Sequence, residues 1–196
     1  MPFVPEWYRV LLVAGMIGHK VLWEALRIRA ERSRGRPAAA RPPGFLKRVL
    51  KAGKAGFLLL LIAQALFLDI LPISAEPGGL RVAGLLIFAA GLALAVAGRL
   101  QLGENWANLE DYSVLPDQRL VRQGVYRFVR HPIYGGDLLL LTGLQLAVNS
   151  WLVLLVLPIA AVVLRQARRE EAILVESFPG YREYRQRTRM LVPFLL

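Results

Sequence analysis

The sequence predicts an all-α, polytopic integral membrane protein with about five transmembrane helices and a cytoplasmic C-terminal helical segment. Three observations carry that expectation. Hydrophobic residues make up 56% of the 196, yet the formal net charge is +11. The apolar residues fall into runs nearly free of charge, each close to the roughly 20 residues that a helix needs to cross a bilayer core. The basic residues collect between those runs. In a soluble chain a pI near 10.8 would suggest nucleic acid. Here the basic stretches lack aromatic interleaving and border apolar spans. Attraction to an anionic leaflet accounts for them, so membrane lipids are the expected partner and nucleic acid is not.

The first apolar run, Trp7 to Leu26, carries His19, Lys20 and Glu24 in its second half. Lys20 and Glu24 are spaced to pair across one helical turn, and Lys20 is long enough to snorkel to the headgroups. The second run extends from about Ala55 to Ile73 and the third from Leu80 to Leu100. The fourth starts at Pro132, which suits a first helical turn because its missing N–H costs nothing there, and ends at Val148. Only Asn149 and Ser150 separate it from the fifth, Trp151 to Leu164, which makes the two a tight helical hairpin. Beyond Leu164, Ile173 and Leu174 keep an apolar stripe, so the helix continues outside the membrane. Residues 178–184 then read as a turn and a short helix.

Of the 25 Lys and Arg residues, ten lie in 27–54, five in 99–130 and seven in 165–189. Five spans put all three stretches on one side. The positive-inside rule makes that side the cytoplasm and places the N-terminus outside, with a cell inner membrane the expected location. Residues 33–44 read as a flexible cytoplasmic loop without chemistry. The start of the chain has neither a basic n-region nor a small-residue cleavage site, so no removable signal peptide is expected. The chain has no cysteine, which removes disulfides, thiolate metal sites and a cysteine nucleophile. The two histidines, His19 and His131, lie far apart in sequence, so no metal site is expected. His19 reads as a structural or interfacial residue.

Two glycine seams suggest close helix packing. Gly84, Gly91 and Gly98 recur every seven residues on the third run, with Ala95 on the same stripe, and Gly136 and Gly143 repeat that spacing on the fourth. Small residues at such spacing let membrane helices approach closely.

The polar residues that could do chemistry begin after Arg99. Arg130 and His131 sit at the start of the fourth helix, where the dipole and free N–H groups favour an anion. Tyr134 and Asp137 share a face one turn in. An ionisable residue just inside a span is either functional or a partner for an arginine of the same domain. After the fifth run, Arg165, Gln166, Arg168, Arg169, Glu170 and Glu171 form a charged helical face. Such a face is ordinarily solvated and salt-bridged, and the alternative is a carboxylate pair turned into a site. Glu170 and Glu171 are about 100° apart on a helix and cannot play the same part. Gln166, one turn before Glu170, favours Glu170 as the site-facing member. These residues describe a cytoplasmic pocket bordering lipid, suited to a polar nucleotide-like cofactor and a lipophilic substrate, without naming the reaction.

The ordered set Gly124-x-Tyr126-x-x-x-Arg130-His131-Pro132-x-Tyr134-x-Gly136, then Glu170-Glu171-x-x-Leu174, Phe178-x-x-Tyr181-x-x-Tyr184 and Arg189-x-x-x-Pro193 resembles the isoprenylcysteine carboxyl methyltransferase family, to which phospholipid methyltransferases are related. Leu102-Gly103-x-x-Trp106 resembles the family's preceding segment. The resemblance covers about residues 99–194. It divides one domain into N-terminal helices with the basic loop, 1–98, and a catalytic region, 99–196. It implies S-adenosylmethionine as cofactor, with S-adenosylhomocysteine as product, and a lipophilic methyl acceptor entering from the bilayer. Arg130, His131, Pro132, Tyr134, Gly136, Tyr181 and Tyr184 are then the implied cofactor-binding residues, and Glu170, Glu171 and Arg165 the implied catalytic ones. The family often has an arginine where Gln166 stands, and Arg165 and Arg168 flank that position. The acceptor stays open among an isoprenylcysteine-like carboxylate, a lipid amine and a long-chain phenol or enol. Two other readings stand beside it: an NADPH-dependent membrane lipid or sterol-type reductase, and a non-enzymatic helical membrane protein.

Overall fold

The structure, a computed structural model, describes residues 7–33, 45–67, 70–105 and 119–191. Six α-helices follow in order: α1 (Trp7–Ser33), α2 (Phe45–Phe67), α3 (Gly78–Leu102), α4 (Pro132–Ala147), α5 (Val156–Ser177) and α6 (Tyr181–Arg187). Short 3₁₀ turns cover Gly103–Asn105, Gly124–Arg127 and Trp151–Leu155. Among the described residues there is no β-sheet, only the isolated bridges Pro72–Ser150 and Val129–Arg189. The loop 33–44 and residues Trp106 and Pro193 of the sequence motifs lie, except for Ser33, outside the described residues.

The two glycine seams meet each other, and α3–α4 is the most extensive helix pair. A Cβ built on Gly91 would stand 2.7 Å from the Gly136 carbonyl oxygen, and one on Gly143 would stand 2.6 Å from the Gly84 carbonyl oxygen. A Cβ on Gly98 would meet the Pro132 ring at 3.0 Å. The heptad spacing thus brings backbone onto backbone along the length of α4, where dispersion contact replaces the hydrophobic drive that lipid does not provide. Tyr8, Leu12 and Met16 of α1, Ala65 of α2, Phe88 of α3 and Leu144 and Ala147 of α4 close the buried cluster beside this seam. Within it Gln64 and Gln145 exchange reciprocal amide hydrogen bonds of 2.9 and 3.0 Å. Each amide satisfies the other, which is what lets two glutamines sit in an apolar core.

The second run begins and ends earlier than its hydropathy predicts. Its helix starts at Phe45, because the basic stretch Lys47–Lys54 is a good helix former despite its charge. It does not reach Ile73. Leu71 takes φ 49° and precedes Pro72, two features that exclude a continuing α-helix. Residues 70–74 instead pair with the α4–α5 connection: Trp151 N donates to Leu71 O at 2.9 Å, and Asn149 and Ser74 exchange two bonds of 2.8 and 3.0 Å. Asn149 itself is left-handed at φ 56°, a conformation asparagine tolerates, and this makes the hairpin sharp.

Two helical segments, Gly78–Leu102 and the continuous Trp151–Ser177, are long and apolar enough to cross a bilayer, and Ala52–Phe67 is a shorter apolar helix. The α4 helix has 16 residues, below the usual spanning length. Large apolar side chains point outward on four helices, among them Val21 on α1, Leu60 on α2, Leu86 on α3 and Leu157 on α5. A surface of that kind belongs against lipid.

Candidate active site

The segment that leads into α4 runs beside the chain that leaves α6. Arg130 N donates to Arg189 O at 2.8 Å, His131 N to Met190 O at 3.0 Å, and Arg189 N to Phe128 O at 3.1 Å. The start of α4 is therefore fixed to the C-terminal segment by backbone bonds, and α5 arrives beside both. Three pieces distant in sequence converge there.

The Arg130 side chain, 8% exposed, points along this junction. Its Nε donates to Glu171 Oε1 at 2.6 Å. Its Nη1 donates to the Arg185 carbonyl at 3.0 Å and to the Thr188 carbonyl. Glu171 also faces Arg185 Nε at 3.4 Å and His131 Nε2 at 3.3 Å. Glu170, one residue back, has a different set of partners. The Tyr134 hydroxyl donates to Glu170 Oε1, and Gln166 Nε2 donates to the same oxygen at 3.2 Å. Its Oε2 faces His131 Nδ1 at 3.7 Å, beyond hydrogen-bond length. The His131 ring stacks on Tyr134 with centroids 5.6 Å apart and 15° between planes.

Glu170 and Glu171 are 3% and 2% exposed, so neither belongs to a solvated charged face. The 100° step of the helix gives them unlike roles. Glu171 is matched by a guanidinium in a buried ion pair. Glu170 takes hydrogen bonds from the neutral donors Tyr134 and Gln166, burial pushes its carboxyl above the usual carboxylate range, and acceptor capacity is left on Oε2.

The tyrosines brace the site. Tyr184 donates its hydroxyl to the Tyr126 carbonyl at 2.7 Å, and Tyr126 donates to the Gly98 carbonyl at 3.3 Å. Tyr181 meets Tyr184 edge to face at 5.7 Å. Burial holds the Tyr126 and Tyr181 phenols far above their usual range and pushes Tyr184 up to about 12. All three stay neutral at working pH, so none is placed to act as a base. They offer aromatic faces and hydroxyls.

Not every residue singled out from sequence joins the cluster. Arg165 is exposed and lies about 140° around the helix from Glu170. Pro132 and Gly136 are on the α3–α4 seam, against Gly98 and against Ala95 with Gly91. Asp137 faces His19 Nε2 at 3.4 Å rather than an arginine. Thr188, whose carbonyl and hydroxyl both meet Arg130 Nη1, was not singled out, nor was the Arg185 carbonyl. A carbonyl acceptor leaves no side-chain signal in a sequence. Among the described residues no group of three or more His, Cys, Asp or Glu is arranged to hold a metal ion.

A family model described as phospholipid methyltransferase matches residues 80–180. The chain is 36% identical over 107 residues to the cobalt-zinc-cadmium resistance protein CzcN of Cupriavidus metallidurans, a match covering 54% of this chain and 47% of that protein. The chain thus spans about half the length of this curated relative. In fold it is similar to the eukaryotic intramembrane Ras methyltransferase, isoprenylcysteine carboxyl methyltransferase, with a TM-score of 0.59 at 20% identity over 99% of this chain and 70% of that one.

Proposed function

The chain belongs to the phospholipid methyltransferase family, a family of membrane methyltransferases, and from that premise we propose that it is an S-adenosylmethionine-dependent enzyme that methylates a lipophilic acceptor at the cytoplasmic membrane face. The observation that supports this reading most is the buried junction of Arg130, His131, Tyr134, Glu170 and Glu171, all but α6 of it inside the family-matched stretch.

The donor set fits the cofactor. The methyl group would come from its sulfonium, whose positive charge is favoured beside Glu170 and the Tyr134 ring. Glu170 Oε2 would accept from the amine or ribose hydroxyls. His131 and the α4 start would hold the carboxylate. Arg130 fixes Glu171 and the C-terminal segment, so it acts by shaping the pocket, and Pro132 and Gly136 set how closely α4 approaches α3. Tyr181 and Tyr184 line the C-terminal side. Arg165, exposed beyond the apolar part of the fifth span, would meet headgroups. Methyl transfer is in-line displacement, so alignment supplies most of the rate. Residues 1–98 would form the membrane frame and 99–196 the catalytic region of one domain. Five spans, N-terminus outside and C-terminus cytoplasmic, follow from the distribution of Lys and Arg. A methyltransferase family offers nothing in favour of an NADPH-dependent reductase or a scaffold.

The test is calorimetric titration of the purified protein with S-adenosylmethionine and S-adenosylhomocysteine, followed by transfer of radiolabelled methyl into membrane lipid extracts. Saturable binding of both and a labelled lipid-phase product are expected. Absence of cofactor binding to folded protein would overturn the proposal.

A further inference from the structure

Asp137 is a polar residue that the proposed cofactor pocket leaves unused. It lies three residues after Tyr134, hence one turn further along the same face of α4, and Tyr134 is bonded to Glu170. Its side chain is 46% exposed, and it is the one charged residue of the helix Pro132–Ala147. A carboxylate on such a helix is costly against hydrocarbon and is kept where it borders a polar cavity or a reacting group. One oxygen, Oδ1, faces His19 Nε2 at 3.4 Å. The His19 ring, 20% exposed, rests on Trp23 with centroids 4.6 Å apart. The α1 helix therefore sets His19 beside one oxygen of Asp137, within charge-pairing distance but without a hydrogen bond, one turn from the proposed methyl-transfer site.

Resting on the methyltransferase reading above, we infer that Asp137 is the catalytic base for the methyl acceptor, with His19 its positioning residue, and that the acceptor carries an amine or hydroxyl proton rather than a carboxylate. The acceptor gives up one proton, and the lone pair so freed forms the new bond to the methyl carbon. The carbon–sulfur bond breaks with its electron pair remaining on sulfur, which leaves as a neutral thioether. The acceptor proton passes to the oxygen of Asp137 that does not face His19. His19 fixes the rotamer of the carboxylate. A carboxylate acceptor has no proton to give at neutral pH and would be repelled by Asp137. A general base of this kind contributes about 10²–10⁴ in rate.

The test uses purified protein in zwitterionic nanodiscs with dodecylamine, 4-dodecylphenol and dodecanoate as acceptor probes. Binding of each, without cofactor, is read from the fluorescence of Trp23, with Trp23→Phe as the control that identifies the signal. Turnover is read separately with labelled S-adenosylmethionine. Dodecylamine or 4-dodecylphenol should bind and be methylated, and dodecanoate should do neither. Asp137→Asn should lower kcat at least 100-fold, while the cofactor Kd stays within about twofold of wild type. His19→Gln should lower kcat about tenfold, and Asp137→Glu should recover part of the loss. The inference is overturned if Asp137→Asn retains kcat within a few-fold, if dodecanoate is methylated, or if no probe is methylated by protein that binds cofactor. Failure to bind cofactor at all would instead overturn the reading on which it rests.

Discussion

At the scale of single residues, adjacent glutamates with unlike partners should fail in unlike ways. Glu171 neutralises Arg130 inside the protein, and removing one member of a buried pair leaves an uncompensated charge. Glu171→Gln should therefore cost about 3–5 kcal/mol of stability, read as an earlier unfolding transition in detergent. Glu170 is held by Tyr134 and Gln166, and a glutamine can still accept from both. Glu170→Gln should fold nearly as well as wild type and lose roughly 10²–10⁴ in turnover. The reverse pattern would exchange the two assignments. His131 stacks on Tyr134 and faces both carboxylates. His131→Ala should weaken S-adenosylmethionine binding by about 1–3 kcal/mol in calorimetry, as expected for loss of a charged hydrogen bond.

At the scale of helices, the α3–α4 seam leaves no room for side chains. A Cβ on Gly143 would meet the Gly84 carbonyl oxygen at 2.6 Å. Backbone cannot rotate away as a flexible side chain can, so Gly143→Ala should destabilise by about 1–3 kcal/mol, as overpacking does. Gly53, exposed on α2 with nothing within 4 Å, is the matched control. Gly53→Ala should be neutral or raise stability by up to about 1 kcal/mol through helix propensity. Parallel thermal melts of the two variants check both. This element was legible in the sequence, because a seven-residue glycine repeat has few uses in an apolar helix. So was the start of α4, which Pro132 marks. The end of α2 was not, since the apolar run continues past it in the sequence, and Leu71 and Pro72 direct residues 70–74 to the α4–α5 connection. At the site, helical geometry separated Glu170 from Glu171 and linked Gln166 to Glu170. The partners Tyr134, Arg130 and Thr188 depend on where the C-terminal segment docks. Backbone bonds from Arg189 and Met190 set that docking, and they have no sequence signature.

At the scale of the whole molecule, the remaining question is which way the bundle faces. The site lies where α4 begins and the long helix Trp151–Ser177 ends, and the 70–74 to 149–151 staple lies at the other end of both. The site end holds Arg130, Arg165, Arg168, Arg169, Arg185 and Arg189, while the staple end holds few basic residues. A bilayer with this bundle in it therefore separates a strongly basic side from one with few basic residues, and moving the basic side outward would oppose the positive-inside bias. S-adenosylmethionine is a cytosolic metabolite with no means of crossing a bilayer unaided, so a site at the opposite end could not be supplied. Both arguments support the proposed orientation. The chain has no native cysteine, so single introduced cysteines report it cleanly. Ala75→Cys, exposed beside the staple, should react with an impermeant maleimide added to intact cells. Ser33→Cys, at the end of α1, should react only after the membrane is opened. Labelling of Ser33→Cys in intact cells would invert the bundle and put the proposed cofactor pocket on the wrong side of the membrane.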